Sequence, residues 1–233
     1  MASQPIYQFY AELDDFTPKI WRRFQVPGNV TFARLGYITM TLFEMTASHL
    51  FALEMPLEYP GGECIWHYEI PFEDGQDLEE SDSLKLKDAT KCKLCRVTSS
   101  AGTHFNFNYD FGDNWWVSMV LEAVFKDETL QGAELPRVIE GAGVGIVEDC
   151  GGTGGLETLT KAFRKKKGRD YEGFRDWLGV DDFDITEFDI DDMNFRLKKI
   201  PRIYARIYEQ QLAPTQRSID LIERKYIKKK PEN

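Results

Sequence analysis

The 233-residue sequence predicts an α+β fold: a single domain on an antiparallel β-sheet flanked by helices, with further helices at the C-terminus. Three observations carry that prediction. Residues 6–13 alternate apolar and polar side chains, and residues 20–26, bracketed by Pro18 and a Pro27-Gly28-Asn29 turn, pair with them as a hairpin. Residues 103–125 repeat the alternation more strongly around Gly112-Asp113-Asn114. Beyond residue 155 the apolar residues recur at helical spacing instead.

Taken in order, Tyr7, Phe9, Ala11 and Leu13 of the first strand face a core, while Gln8 and Glu12 face out. Thr31 reads as a helix N-cap, because its hydroxyl can accept a first-turn amide, and Phe32, Leu35, Ile38 and Leu42 follow on one face to about residue 44. Apolar runs at 50–55 and 65–70 read as strands, and the acidic, aperiodic stretch 73–83 as an exposed loop. In the second hairpin Phe105, Phe107, Tyr109, Trp115, Val117, Met119 and Leu121 make one aromatic-rich buried face. Seven of residues 141–155 are glycine, which predicts a loop with unusual dihedrals or close backbone approach. Leu156, Leu159 and Phe163 then start a helix whose last turn carries Lys165, Lys166 and Lys167 before Gly168, matching the helix dipole and C-cap rules. A short helix at 171–178 stops at Gly179, and Asp189 caps another carrying Ile190, Met193 and Leu197. Pro201 interrupts that pattern. Two helices separated by Ala213-Pro214 close the chain, so residues 1–200 read as the main domain and 201–233 as a basic helical extension.

The net charge of −10 is unevenly placed. Residues 35–84 hold eleven acids and no Lys or Arg, whereas residues 194–233 hold eleven bases and four acids. An acidic chain lacks the basic footprint of a general nucleic-acid binder, and the same deficit excludes a polybasic membrane-surface protein. The N-terminus has no basic, apolar leader pattern, and the longest apolar region, 40–57, is interrupted by Glu44, His49 and Glu54, so neither a signal peptide nor a membrane span is expected. Four cysteines without a secretion signal read as reduced thiols of a cytoplasmic protein. The basic tail can meet nucleic acid, an acidic partner, the chain's own acidic stretch or a second copy. A protein partner is favoured over nucleic acid, with a homodimer left open.

Several blocks together resemble the plasmid pRiA4b Orf-3-like family. They are Ile20-Trp21-Arg22-Arg23 with Val26-Pro27-Gly28, Ser48-His49-Leu50, Tyr109-Asp110-Phe111-Gly112-Asp113-Asn114-Trp115, Glu140-Gly141, Glu148-Asp149-Cys150-Gly151-Gly152, and Phe188-Asp189-Ile190 with Asn194 and Leu197. The resemblance spans roughly residues 5–198 and implies a strongly curved, barrel-like antiparallel sheet with helices outside it, in a prokaryotic and often mobile-element context. It implies no established activity. The chain departs from the family pattern at Ile146-Val147, where two prolines are usual, and at Trp116-Val117, where a charged pair is usual. Nothing supports recombinase chemistry: His49, His67 and His104 are followed three residues later by Ala52, Ile70 and Phe107, not by the arginine of a His-x-x-Arg block.

The candidate site residues are Arg22, Arg23, Tyr109, Asp110, Asp113, Trp115, Glu148 and Asp149. Asp110 and Asp113 read first as Asx residues bonding turn amides; alternatively, with Glu148 and Asp149, they offer the oxygen ligands that Mg²⁺ or Mn²⁺ would need for phosphoester hydrolysis. Asp149 reads first as tying down its glycine-rich loop. Trp21 reads as core, with Arg22 and Arg23 paired to carboxylates, or else as a stacking and phosphate-binding surface. Cys64 with His67 and Cys92 with Cys95 have the spacing of zinc ligands, although a strand would point Cys64 and His67 to opposite faces. No complete catalytic set is present. The sequence therefore predicts a non-catalytic binding or interaction module, with a metal-dependent hydrolase and an acidic nucleic-acid mimic as the alternatives.

Overall fold

The computed structural model describes residues 4–59, 62–71 and 80–226. Eight strands form one sheet: β1 (Ile6–Leu13), β2 (Trp21–Pro27), β3 (Phe51–Tyr59), β4 (Gly62–Glu69), β5 (Leu84–Asp88), β6 (His104–Tyr109), β7 (Trp115–Phe125) and β8 (Arg137–Ala142). Their order is β5-β4-β3-β6-β7-β1-β2-β8. Among the described residues there are seven α-helices: α1 (Phe32–Leu42), α2 (Leu94–Val97), α3 (Gly152–Lys165), α4 (Arg169–Leu178), α5 (Ile190–Leu197), α6 (Ile200–Gln210) and α7 (Gln216–Ile222).

Both expected hairpins are present. In the first, Tyr7 faces Val26 and Phe9 faces Phe24; in the second, Phe105 faces Met119 and Tyr109 faces Trp115. The inward side chains of both are buried, because period-two alternation puts them all on the face that meets the helices. Thr31 caps α1 by accepting from the Arg34 amide at 3.1 Å. Asp189 caps α5 by accepting from the amides of Asp191 and Asp192. Pro201 sits in the first turn of α6, where its missing N–H leaves no helical hydrogen bond unmade.

Two strands were not legible in the sequence, and both lie at sheet edges. β5 joins β4 in parallel, the one parallel pair among the described residues. β8 pairs with β2 and covers the start of the segment expected to be loop. Among the described residues the sheet is open, not a closed barrel, since β5 and β8 each pair with a single neighbour. The free edge of β8 has another partner: the side-chain amide of Asn194 accepts from Val138 N at 2.9 Å and donates to Val138 O at 3.0 Å, as a neighbouring strand would. Of the acidic loop expected at 73–83, residues 73–79 lie outside the described residues.

The core lies between the inner sheet face and the helices. It includes Phe32, Tyr37 and Ile38 of α1, Met193 and Leu197 of α5, and Ile200, Tyr204 and Tyr208 of α6. Trp21 is not part of it. The ring is half-buried on the outer sheet face, stacked on Tyr10 at 5.4 Å between centroids.

Candidate functional site

Three loops meet at one end of the sheet: residues 43–50 before β3, the β6–β7 turn at 110–114, and residues 143–151 between β8 and α3. Glu148 is the hub. Its carboxylate accepts from Thr46 N at 2.7 Å, from the Thr46 hydroxyl, from Ser48 Oγ at 2.6 Å and from the Tyr109 hydroxyl at 2.5 Å. The Tyr109 hydroxyl in turn accepts from the amides of Ser48 and His49 at 3.2 and 3.3 Å. Burial, and next the adjacent Glu148 carboxylate, push the Tyr109 phenol above its ordinary pKa, so it stays a donor.

Asp113 fastens the second loop to the third, its Oδ2 accepting from Gly151 N at 3.2 Å. The two backbones approach so closely that a Cβ on Gly152 would lie 2.7 Å from the Asp113 carbonyl oxygen, and Gly152 also has φ +65°. Those two facts account for the glycine. Asp110 accepts from Gly112 N at 3.1 Å, the Asx turn expected from the sequence. Asp110 Oδ1 also lies 3.5 Å from His49 Nδ1, and Asp149 Oδ1 lies 3.6 Å from His49 Nε2. His49 thus stands between an enclosed carboxylate and an exposed one, since Asp149 keeps 73% of its side chain open.

The junction is braced from beneath. Tyr204 donates to Met45 O and Tyr208 to His49 O, so α6 holds the first loop from the core side. Arg22, fully buried, donates to the carbonyls of Trp21, Leu42, Ala142, Gly143 and Val144 at 2.7–3.0 Å. Its guanidinium lies 4.1 Å from the Phe188 ring centroid. Burial pushes its pKa down to about 9, which leaves it charged at neutral pH.

Beside Asp149 a cavity of about 450 Å³ opens between the third loop and α4. Asp149 and Cys150 line one side, and Arg169, Asp170, Phe174 and Trp177 of α4 line the other. Burial, then the charges of Asp113 and Asp149, push the Cys150 thiol up to about 12.

Of the residues singled out in the sequence, Tyr109, Asp110, Asp113, Glu148 and Asp149 come together here. Two readings need correction. Asp149 does not tie down its loop; Glu148 does, because its acceptors point back to residues 46–48. Arg22 pairs with no carboxylate, since carbonyls take all five of its N–H groups. Trp115 is core. Arg23 lies on the outer sheet face with Glu122 and Glu140, as a carboxylate-paired arginine should.

The zinc arrangement is not formed. Tyr68, next to His67, packs against Phe32 in the core, whereas His67 lies between Glu54 and Glu69 on the outer face. Three residues of strand therefore separate Cys64 from His67 onto opposite faces. Among the described residues no group of three or more His, Cys, Asp and Glu side chains is placed to hold a metal ion. His49, Phe174 and Trp177 were not singled out as site residues. For His49 the signal was there, in the Ser48-His49-Leu50 block; the two α4 aromatics belong to no block and signal nothing beyond amphipathic spacing.

The protein is similar to an uncharacterised protein, y4hQ, of Sinorhizobium fredii (strain NBRC 101917 / NGR234), at 26% identity over 194 residues, covering 83% of this chain and 91% of that one. The fold is similar to the crystal structure of a protein of unknown function, MM3350, from Methanosarcina mazei Go1, with a TM-score of 0.66 and 29% identity, covering 81% of this chain and 97% of that one. The family described as plasmid pRiA4b ORF-3-like protein matches residues 5–192, which takes in all three loops of the junction, and the chain belongs to that family.

Proposed function

We propose that the protein is a non-catalytic binding module whose recognition surface is the loop junction, formed by His49, Asp149 and the aromatic-lined cavity beside them. The observation that carries this reading is how the motif carboxylates are used. Glu148 and Asp113 accept hydrogen bonds from the loops they join, and Asp110 from its own turn, which leaves Asp149 as the open carboxylate. A metal-dependent hydrolase needs several of them free to share a cation. An acidic nucleic-acid mimic needs its acids on one face, yet Glu44 is enclosed by arginines and Glu54 and Glu69 flank His67. The partner is a protein, in a cytoplasmic and plasmid or mobile-element setting; the family's plasmid description and the bacterial and archaeal relatives support that setting.

The test is turnover of p-nitrophenyl phosphate and bis(p-nitrophenyl) phosphate with Mg²⁺ or Mn²⁺ added. No hydrolysis above background is expected. Metal-dependent turnover that disappears in Asp149→Asn overturns the reading in favour of the hydrolase.

A further inference from the structure

We propose that the cavity between the third loop and α4 receives a lysine or arginine side chain of a partner polypeptide, held between the carboxylates of Asp149 and Asp170 and the rings of Phe174 and Trp177. The proposal rests on the binding-module reading and names the chemistry that the site takes.

Charge is the first argument. The lining carries two carboxylates against one guanidinium, Arg169. Among the described residues neither Asp149 nor Asp170 forms an ion pair with a lysine or arginine; Asp149 meets only His49. Asp113 lies just behind, bonded to Gly151. Burial is the main cause of the raised Cys150 pKa, and the charges of Asp113 and Asp149 add to it; carboxylates that disfavour a thiolate also disfavour an incoming phosphate or carboxylate.

The aromatic rings supply the second argument. Trp177 is 49% exposed and stands 6.2 Å from Phe174 between ring centroids, so the cavity wall presents two neighbouring aromatic rings, one of them open to an incoming side chain. A cation over an indole face gains both ring attraction and cover for its methylene stem. Gly173, also on the lining, presents bare helix, and a Cβ built there meets nothing within 4 Å. An extended backbone carrying the cation can lie along that strip. A volume of about 450 Å³ suits one long side chain with its flanking peptide units.

The test titrates the full-length protein with a blocked Gly-Ser nonapeptide carrying two central arginines, and with its counterpart carrying two glutamates. Binding is followed by calorimetry and by tryptophan fluorescence, against Trp177→Phe. The arginine peptide is expected to bind with a fluorescence change absent from Trp177→Phe, and Asp149→Asn/Asp170→Asn is expected to weaken it at least about tenfold with an unchanged circular dichroism spectrum. The glutamate peptide should give no signal. Equal binding of the glutamate peptide, undiminished binding by the double variant, or no response to the arginine peptide overturns the proposal. Arginine methyl ester binding as tightly as the peptide overturns the polypeptide partner in favour of a small cation. A Trp177-dependent response to the glutamate peptide or to inorganic phosphate alone would sink the cation and leave the binding site standing. Responses that all survive Trp177→Phe would sink both.

Discussion

Arg22 and Arg23 are neighbours in sequence with opposite fates, because strand geometry sends alternate side chains to opposite faces. Arg23 stays half-exposed and pairs with Glu122 and Glu140. Arg22 enters the core, where its fixed planar fork matches five carbonyls drawn from β2, the end of α1 and residues 142–144. An ammonium group has three donors and no fork, so Arg22→Lys leaves buried carbonyls unpaired and abandons the Phe188 ring. A loss of about 2–4 kcal/mol in urea unfolding is expected, from desolvated carbonyls at about 1–3 kcal/mol each with partial relaxation. Arg23→Lys keeps its charge at a solvent-screened pair and should lose no more than about 1 kcal/mol. Similar losses for the two variants would contradict the role given to Arg22.

At the scale of elements, the start of α3 shows how glycines serve the junction. The Cβ of an alanine at Gly155 would sit 1.7 Å from the Cys150 carbonyl oxygen, whereas at Gly154 it would meet nothing within 4 Å. Both positions are helical, so propensity alone predicts a gain of up to about 1 kcal/mol for each Gly→Ala change. Gly154→Ala should realise part of that gain. Gly155→Ala should instead destabilise by more than about 2 kcal/mol, since the helix start must move away from the loop that carries Glu148 and Asp149. Thermal melts of the two variants check the opposite signs. Asn194 makes a comparable point for β8: one side-chain amide satisfies both backbone groups of Val138 on the free edge of the sheet.

For the whole molecule, one acid of the base-free stretch meets the basic tail inside the protein. Glu44, from the base-free stretch, binds Arg196 at 2.9 Å and Arg224 at 2.7 Å, both from the basic tail. The two regions thereby lock α1, α5 and the end of α7 together beneath the site. Burial raises the Glu44 carboxyl pKa while the surrounding guanidiniums pull it back down. Glu44→Gln leaves Arg196, only 1% exposed, without its counter-charge. Removing one partner of a buried pair typically loses about 3–5 kcal/mol, so a single cooperative transition at a much lower denaturant midpoint is expected. An unchanged midpoint would mean that the tail does not hold the first loop in place.

The local chemistry of the chain determined its hairpins, its helix caps and its family, because alternation, capping oxygens and turn residues act over a few neighbouring positions. It also placed Tyr109, Asp110, Asp113, Glu148 and Asp149 as candidates, since they stand in contiguous blocks. Only the tertiary structure decided which of these carboxylates are used up and which is open. Glu148 is bound to residues about one hundred positions earlier, His49 is fixed by a tyrosine from α6, and the cavity wall comes from a helix outside every motif. Alternation tells a side chain which face it takes, but not what stands opposite; that depends on long-range packing, where Arg22 finds carbonyls and Asp149 finds solvent beside an exposed tryptophan.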